Sequence, residues 1–367
     1  VAIFGIIIHR ALWLAVAAVP WLFPRAWWWF GLILFVGLSY TSAHIGTPAT
    51  TSWAADLVPA RLRGRYYALR GQLVRVVNIL LGLGIGWAMD RAQAAGFQTL
   101  LLVLSAMLAV AALAGMVDSL LCAKLPDRWH RPRADGLRLR DIFLVPLANR
   151  TFLCFLGYTA FITLATGYIG PFVWLFLIDV VKTTNLEATF MTMGGTALAS
   201  LLGMRYWGRK VDEWGTRRTM LLAGVLIING ASTWVFITQE TKWLGYSIVL
   251  FSSFAWPAME LAAGNLLYAF SESRKNDANP GTAYVALTSA VVAIFGTLSG
   301  LFGGWIAQLL QHWHTTIAGF PITFHVVLFF ISAGLRIIAL LFVLGMRDDR
   351  RHRSTRTSAQ SMERMAG

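Results

Sequence analysis

The sequence predicts an all-α protein built from about ten membrane-spanning helices, and three observations carry that expectation. Hydrophobic residues make up 57% of the 367 positions, mean hydropathy is +0.62, and only 13% of residues are charged. A soluble chain of this length would carry far more charge. Ten stretches are apolar over the roughly 20 residues needed to cross a hydrocarbon core. Finally, the basic residues alternate between crowded and sparse loops, as the positive-inside rule requires of a polytopic membrane protein.

In order, the expected spans are 1–23, 27–55, 66–89, 97–121, 151–181, 187–207, 219–237, 244–270, 283–311 and 321–346. Of the 31 Lys and Arg residues, 23 fall on one side. They include Arg61, Arg63 and Arg65, the run from Lys124 to Arg150, the group from Arg205 to Arg218, Arg274, Lys275 and the arginines after residue 346. The opposite side holds only Arg25, Arg91, Lys182 and Lys242. The crowded side is expected to be cytoplasmic and to include the C-terminus, in a bacterial inner membrane. A net charge of +14 would otherwise point to nucleic acid. These cations instead sit where topology and anionic headgroups place them, so lipids are the expected partners and nucleic acid is not.

The organisation follows from the loops. Residues 1–125 form a first bundle, 126–150 a central basic loop, 151–346 a second bundle of six helices, and 347–367 a basic tail. Cys122 and Cys154 lie near span ends and are expected to be reduced. No cleavable leader is visible ahead of the first span.

The two bundles share an internal repeat. Pro48, Asp56 and Arg65 recur at one constant offset as Pro257, Asn265 and Arg274. After a longer loop, Tyr66 matches Tyr284, and Gly82-Leu83-x-x-Gly86-Trp87 matches Gly300-Leu301-x-x-Gly304-Trp305. Two homologous halves in the same topological sense are the parallel repeat of a secondary transporter. The first bundle has four spans against six, so the repeat implies two further helices upstream of Val1. The expectation is of a shortened N-terminus, which mapping the translation start tests.

The segment Gly208-Arg209-Lys210-Val211-Asp212-Glu213-Trp214-Gly215-Thr216-Arg217-Arg218 follows the sixth span. It resembles the G-x-x-x-D-x-x-G-x-R-R loop of the major facilitator superfamily of secondary transporters, in its second-half copy. Gly208 and Gly215 permit a tight reversal, Asp212 suits a helix N-terminus, and Arg217 and Arg218 hold the turn at the anionic leaflet. Lys210, Glu213 and Thr216 depart from the family pattern. A second similar stretch runs from Trp53 through Asp56 and Pro59 to Arg63-Gly64-Arg65-Tyr66. Gly82, Gly84 and Gly86 lack the proline that antiporters of the superfamily often carry, so antiport gains no support.

The resemblance covers essentially the whole chain and implies a two-bundle transporter working by alternating access, with family helices three to twelve present. Spans 27–55, 151–181 and 244–270 would then line the cavity. Glu260 is the one acid deep in a span, and a carboxyl there can carry a proton or form a salt bridge, for instance with Arg75. Arg75 can bind an anion or pair with a carboxylate, and Arg70 can snorkel to the interface. Arg10 and Arg336 are expected to be paired structural charges outside the cavity. His44 precedes Gly46-Thr47-Pro48, where a helix break is expected, and serves as a packing residue or a proton relay. Gly167-Tyr168-Ile169-Gly170-Pro171 is expected to interrupt another cavity helix. Tyr168, Trp256 and Asn265 are candidate solute contacts.

No Walker loop, H-E-x-x-H, Cys-x-x-Cys or nucleophile elbow is present, so the chain is not expected to be an enzyme. His312 and His314 lack a third ligand, and neither a metal nor a cofactor is implied. The expected function is proton-coupled movement of a small polar or amphipathic solute by a monomer. A membrane receptor or scaffold that keeps the bundle without moving solute is the alternative.

Overall fold

In the computed structural model the described residues are 2–57, 60–124, 146–272, 282–317 and 320–346. The central loop, residues 273–281, which include Arg274 and Lys275, and the tail from Arg347 lie outside them. The chain divides into two compact units, Val1–Arg133 and Ala134–Gly367. The division falls within the stretch read as the central loop.

The first unit contains α1 (Ala2–Leu22), α2 (Trp28–Leu57), α3 (Ala60–Ala94) and α4 (Phe97–Cys122). Helix α1 packs on α2 and α4, and α3 packs on α4. The α1–α2 seam is both tight and polar. Gly31 brings α2 close to the fully buried Val19, the Ser39 hydroxyl lies 2.6 Å from His9 Nδ1, and Ser42 donates to the Gly5 carbonyl at 2.7 Å. Such close small-residue packing with interhelical hydrogen bonds suits a lipid environment, where apolar side chains gain little by meeting each other rather than lipid.

The second unit contains α5 (Arg150–Gly167), α6 (Gly170–Asp179), a single-turn α7 (Asn185–Thr189), a π-helical turn (Phe190–Gly194), α8 (Gly195–Trp214), α9 (Thr216–Thr233), α10 (Lys242–Glu272), α11 (Thr282–Leu310) and α12 (Phe324–Leu344). Its core has two clusters. One gathers Phe152, Phe155, Trp207, Met220, Met259 and Val343, and the other Tyr168, Phe176, Trp234, Ile237, Leu328 and Phe329. At Gly203 the α8 backbone faces the Phe254 carbonyl of α10 so closely that no Cβ would fit. Trp207 Nε1 donates to that same carbonyl at 2.9 Å.

Every expected span coincides with helix, but only seven helical segments among the described residues are long and apolar enough to cross a membrane by composition alone. Basic residues sit on several helices near their ends or within them. Arg61, Arg63 and Arg65 lie on the opening turns of α3 rather than in a loop, Arg205, Arg209 and Lys210 lie in the second half of α8, and Arg217 and Arg218 open α9. Large apolar side chains such as Leu80, Val110, Leu202, Leu301 and Leu341 are exposed on the helix exteriors, as lipid-facing surfaces require.

Two expectations need correction. The last span does not begin at Pro321, because Phe320–Thr323 pairs antiparallel with His314–Ile317 in a two-stranded hairpin, and α12 starts at Phe324. The β-branched run Thr315, Thr316, Ile317 favours the strand, and a proline is tolerated in a sheet that has only edge strands. The fold is therefore α-helical with one small hairpin. Helix α2 also runs unbroken through Gly46-Thr47-Pro48. A single proline removes one hydrogen bond, which a long packed helix survives with a bend.

Candidate functional site

Helix α10 carries Trp256, Glu260, Ala263 and Leu267 at intervals of three and four, so they share one face. Facing them, α5 presents Phe155, Tyr158 and Thr159, and then Thr163 and Thr166, at the same period. Together with Thr288 of α11 these residues line a cavity of about 300 Å³. Asn149 caps the start of α5, its side chain accepting from Thr151 N at 3.0 Å and Phe152 N at 3.3 Å, which fixes the register of that wall.

The polar groups of the wall differ in availability. Thr159, Thr166 and Thr288 donate to the carbonyls four residues back, at 2.9, 2.9 and 2.8 Å. Their donors are used within their own helices. Glu260 is exposed to the cavity. Among the described residues the ion pairs are Lys210–Glu213 and Lys242–Glu187, so no described cation neutralises Glu260. The lining thus has one carboxylate, no cation, three aromatic side chains and apolar residues between them. This is a surface on which an apolar or aromatic body with a charged or proton-exchanging group can rest.

The candidate residues separate clearly. Trp256 and Glu260 come together one turn apart on the cavity wall. Asn265 is exposed on α10 but is not part of the lining. Tyr168 is 0% exposed in the second core cluster, with its hydroxyl on the Leu328 carbonyl, and it does not reach the cavity. The side chains of His44 and Arg75 lie outside what is described. Arg336 is not paired with a carboxylate among the described residues, since its Nη1 donates to the Ile227 carbonyl at 2.8 Å and its guanidinium sits over Trp256. Tyr158 and the Thr159, Thr163, Thr166 stripe were not singled out from sequence. Their signal was hydroxyls at three- and four-residue spacing along an otherwise apolar helix.

The interruption at Gly167 to Pro171 is present. Helix α5 ends at Gly167 and α6 begins at Gly170 with Pro171 in its first turn. Phe172 N and Val173 N both donate to the Ile169 carbonyl at 3.0 Å, and Ser332 donates to the Ala165 carbonyl at 2.7 Å. The segment expected to be a gating loop is mostly helix: Gly208 and Asp212 lie within α8, and the connection to α9 is Gly215 alone, with φ of 82°. Gly215 makes the reversal because positive φ is open to glycine, whereas Gly208 has open space around it. Arg217 donates to the Leu344 carbonyl at 2.6 Å, at the C-terminal end of α12, where a cation is favoured. Asp212 and Arg218 are exposed, and Lys210 pairs with Glu213 at 2.6 Å.

Solved structures share this helical fold. The nucleoside transporter NupG, in a point-mutant form, aligns at a TM-score of 0.64 with 14% identity, over 94% of this chain and 84% of that one. A bacterial homologue of the human lysosomal transporter Spinster aligns at 0.57 with 15% identity, over 94% and 80%. The Escherichia coli fucose:proton symporter FucP aligns at 0.52 with 12% identity, over 94% and 84%. These are transporters of the major facilitator type, and the chain has their fold. No family model matches. By sequence the chain is similar to the multi-drug resistance efflux pump PmrA homolog of Lactococcus lactis subsp. lactis, 28% identical over 204 residues, which is 54% of this chain. The chain spans about half, 47%, of that relative's length.

Proposed function

We propose that the protein is a secondary active transporter that moves a small amphipathic solute by alternating access, driven by a proton gradient. The observation that carries this reading is the α5–α10 cavity, whose single carboxylate, Glu260, has no cationic partner among the described residues. A carboxylate in such a site can bind a proton or a cationic group of the solute, and either event changes the charge that the cavity must carry through the membrane. Phe155, Tyr158 and Trp256 supply aromatic faces that favour an apolar ring system bearing an amine or other cation. The shared fold supports carriage, and the presence of a proton symporter and an efflux pump among the similar proteins supports a driven process. The protein works as a monomer in the inner membrane, with its C-terminus on the cytoplasmic side given by the distribution of basic residues.

The test is flux in proteoliposomes with an imposed proton gradient, using fluorescent aromatic cations, nucleosides and sugars as separate probes. Gradient-dependent movement of the cations that is lost in Glu260→Gln supports the reading. Flux that is equal in the variant and still dependent on pH overturns the role of Glu260.

A further inference from the structure

Arg336 is the one Lys, Arg, Asp or Glu classed as buried among the described residues, with 7% of its surface exposed. It lies near the middle of α12, away from the cavity lining. An ionised guanidinium enclosed within a bundle costs several kcal/mol unless it is compensated, and here the described compensation is unusual. Nη1 donates to the Ile227 carbonyl of α9 at 2.8 Å, Nε has no partner, and no described carboxylate is within ion-pair distance. The remaining contact is with the face of Trp256, whose ring centroid is 5.8 Å from the guanidinium carbon.

Trp256 is also the residue whose indole walls the cavity, one helical turn before Glu260. Its position in α10 is unusual in one respect. Pro257 follows it directly and has no N–H to give to the Ser253 carbonyl, so the helix lacks one hydrogen bond where the indole is mounted. The backbone leaves the indole's χ angles to be set by what the ring packs against, and the cation over its face is a directional contact.

We propose that Arg336 is a positioning residue: by bridging the α9 carbonyl to the face of Trp256, it fixes the indole that forms one wall of the Glu260 cavity. Its charge is thus used to hold a wall of the site rather than to meet solute. Affinity at the site depends on Arg336 without contact between them, and this part rests on the proposed function. The placement of the indole does not.

Two measurements on the full chain keep those parts separate. In protein labelled with 5-fluorotryptophan, the Trp256 resonance is identified by its disappearance in Trp256→Phe. The expected result in Arg336→Gln is a shifted and broadened Trp256 line, with the lines of Trp27 and Trp87 in the other unit unmoved. An unchanged Trp256 line overturns the proposal. Should Arg336→Gln fail to fold, Arg336→Lys retains the charge but lacks the planar fork, and a Trp256 line at its original position in that variant overturns the proposal equally. The second measurement is equilibrium binding of tetraphenylphosphonium. Arg336→Gln is expected to weaken it about fivefold, within the range of a desolvated cation–ring contact, and to add nothing in a Trp256→Leu background, which has no ring face. Equal weakening in both backgrounds refutes action through Trp256. Absence of probe binding to the unaltered protein counts against the cation reading of the cavity, and the fluorine line then decides on Arg336 by itself.

Discussion

Helices α2 and α5–α6 carry comparable helix-breaking sequences and respond differently to them. Gly46-Thr47-Pro48 sits inside an unbroken α2, whereas Gly167 to Pro171 ends one helix and starts another. Pro257 lies inside the 31-residue α10 without ending it, which makes α2 the ordinary case. At α5–α6 the neighbours can be named. A break frees backbone groups that lipid cannot satisfy, so it persists only where other helices supply partners. At α5–α6 Ser332 donates to the Ala165 carbonyl, the Tyr168 hydroxyl ties the segment to the Leu328 carbonyl of α12, and Gly303 of α11 packs against the Tyr168 carbonyl. Proline and glycine make a break affordable in conformational terms, and at α5–α6 tertiary contacts hold it in place.

That comparison can be broken at graded cost. Gly303→Ala would place a Cβ 2.7 Å from the Tyr168 carbonyl oxygen and 3.2 Å from the Phe172 ring. It is expected to lower stability by about 2 kcal/mol, as overpacking does, read as a drop in thermal midpoint in detergent. Ser332→Ala and Tyr168→Phe each remove one hydrogen bond to the region of the break, and each is expected to cost about 0.6 to 1 kcal/mol. Measured together, they test whether the two bonds act as a unit, and strict additivity would argue for independent roles. The smallest effect should be Gly170→Ala, where nothing lies within 4 Å of the new methyl group. A gain of about 0.5 kcal/mol is expected there. A loss as large as that of Gly303→Ala would mean that the break itself, rather than its packing, requires glycine.

Much of the fold was readable in the sequence because span length and loop charge are local properties. The placement of Trp256 and Glu260 on one helical face was likewise available from spacing, whereas the reversal expected of Gly208 and Gly215 together is made by Gly215 alone. What escaped depends on distant partners. The sequence does not show that Tyr168 turns into the core towards Leu328, 160 positions away, or that Arg336 meets Ile227 and Trp256 rather than an acid. The hairpin before α12 was missed because Phe320, Pro321 and Ile322 read equally well as the start of an apolar span. The threonine stripe of α5 was overlooked because each hydroxyl, taken alone, is an ordinary helix residue bonded to its own backbone.

The central claim is that Glu260 couples an ion gradient to solute movement in the α5–α10 cavity. It is tested most directly by comparing proton-driven flux of an aromatic cation in proteoliposomes holding the unaltered protein or Glu260→Gln, each reconstituted to equal density and checked for folding. Gradient-dependent flux is expected in the first and a loss of about tenfold or more in the second. Solute binding without flux in the unaltered protein, or undiminished gradient-dependent flux in Glu260→Gln, would contradict it.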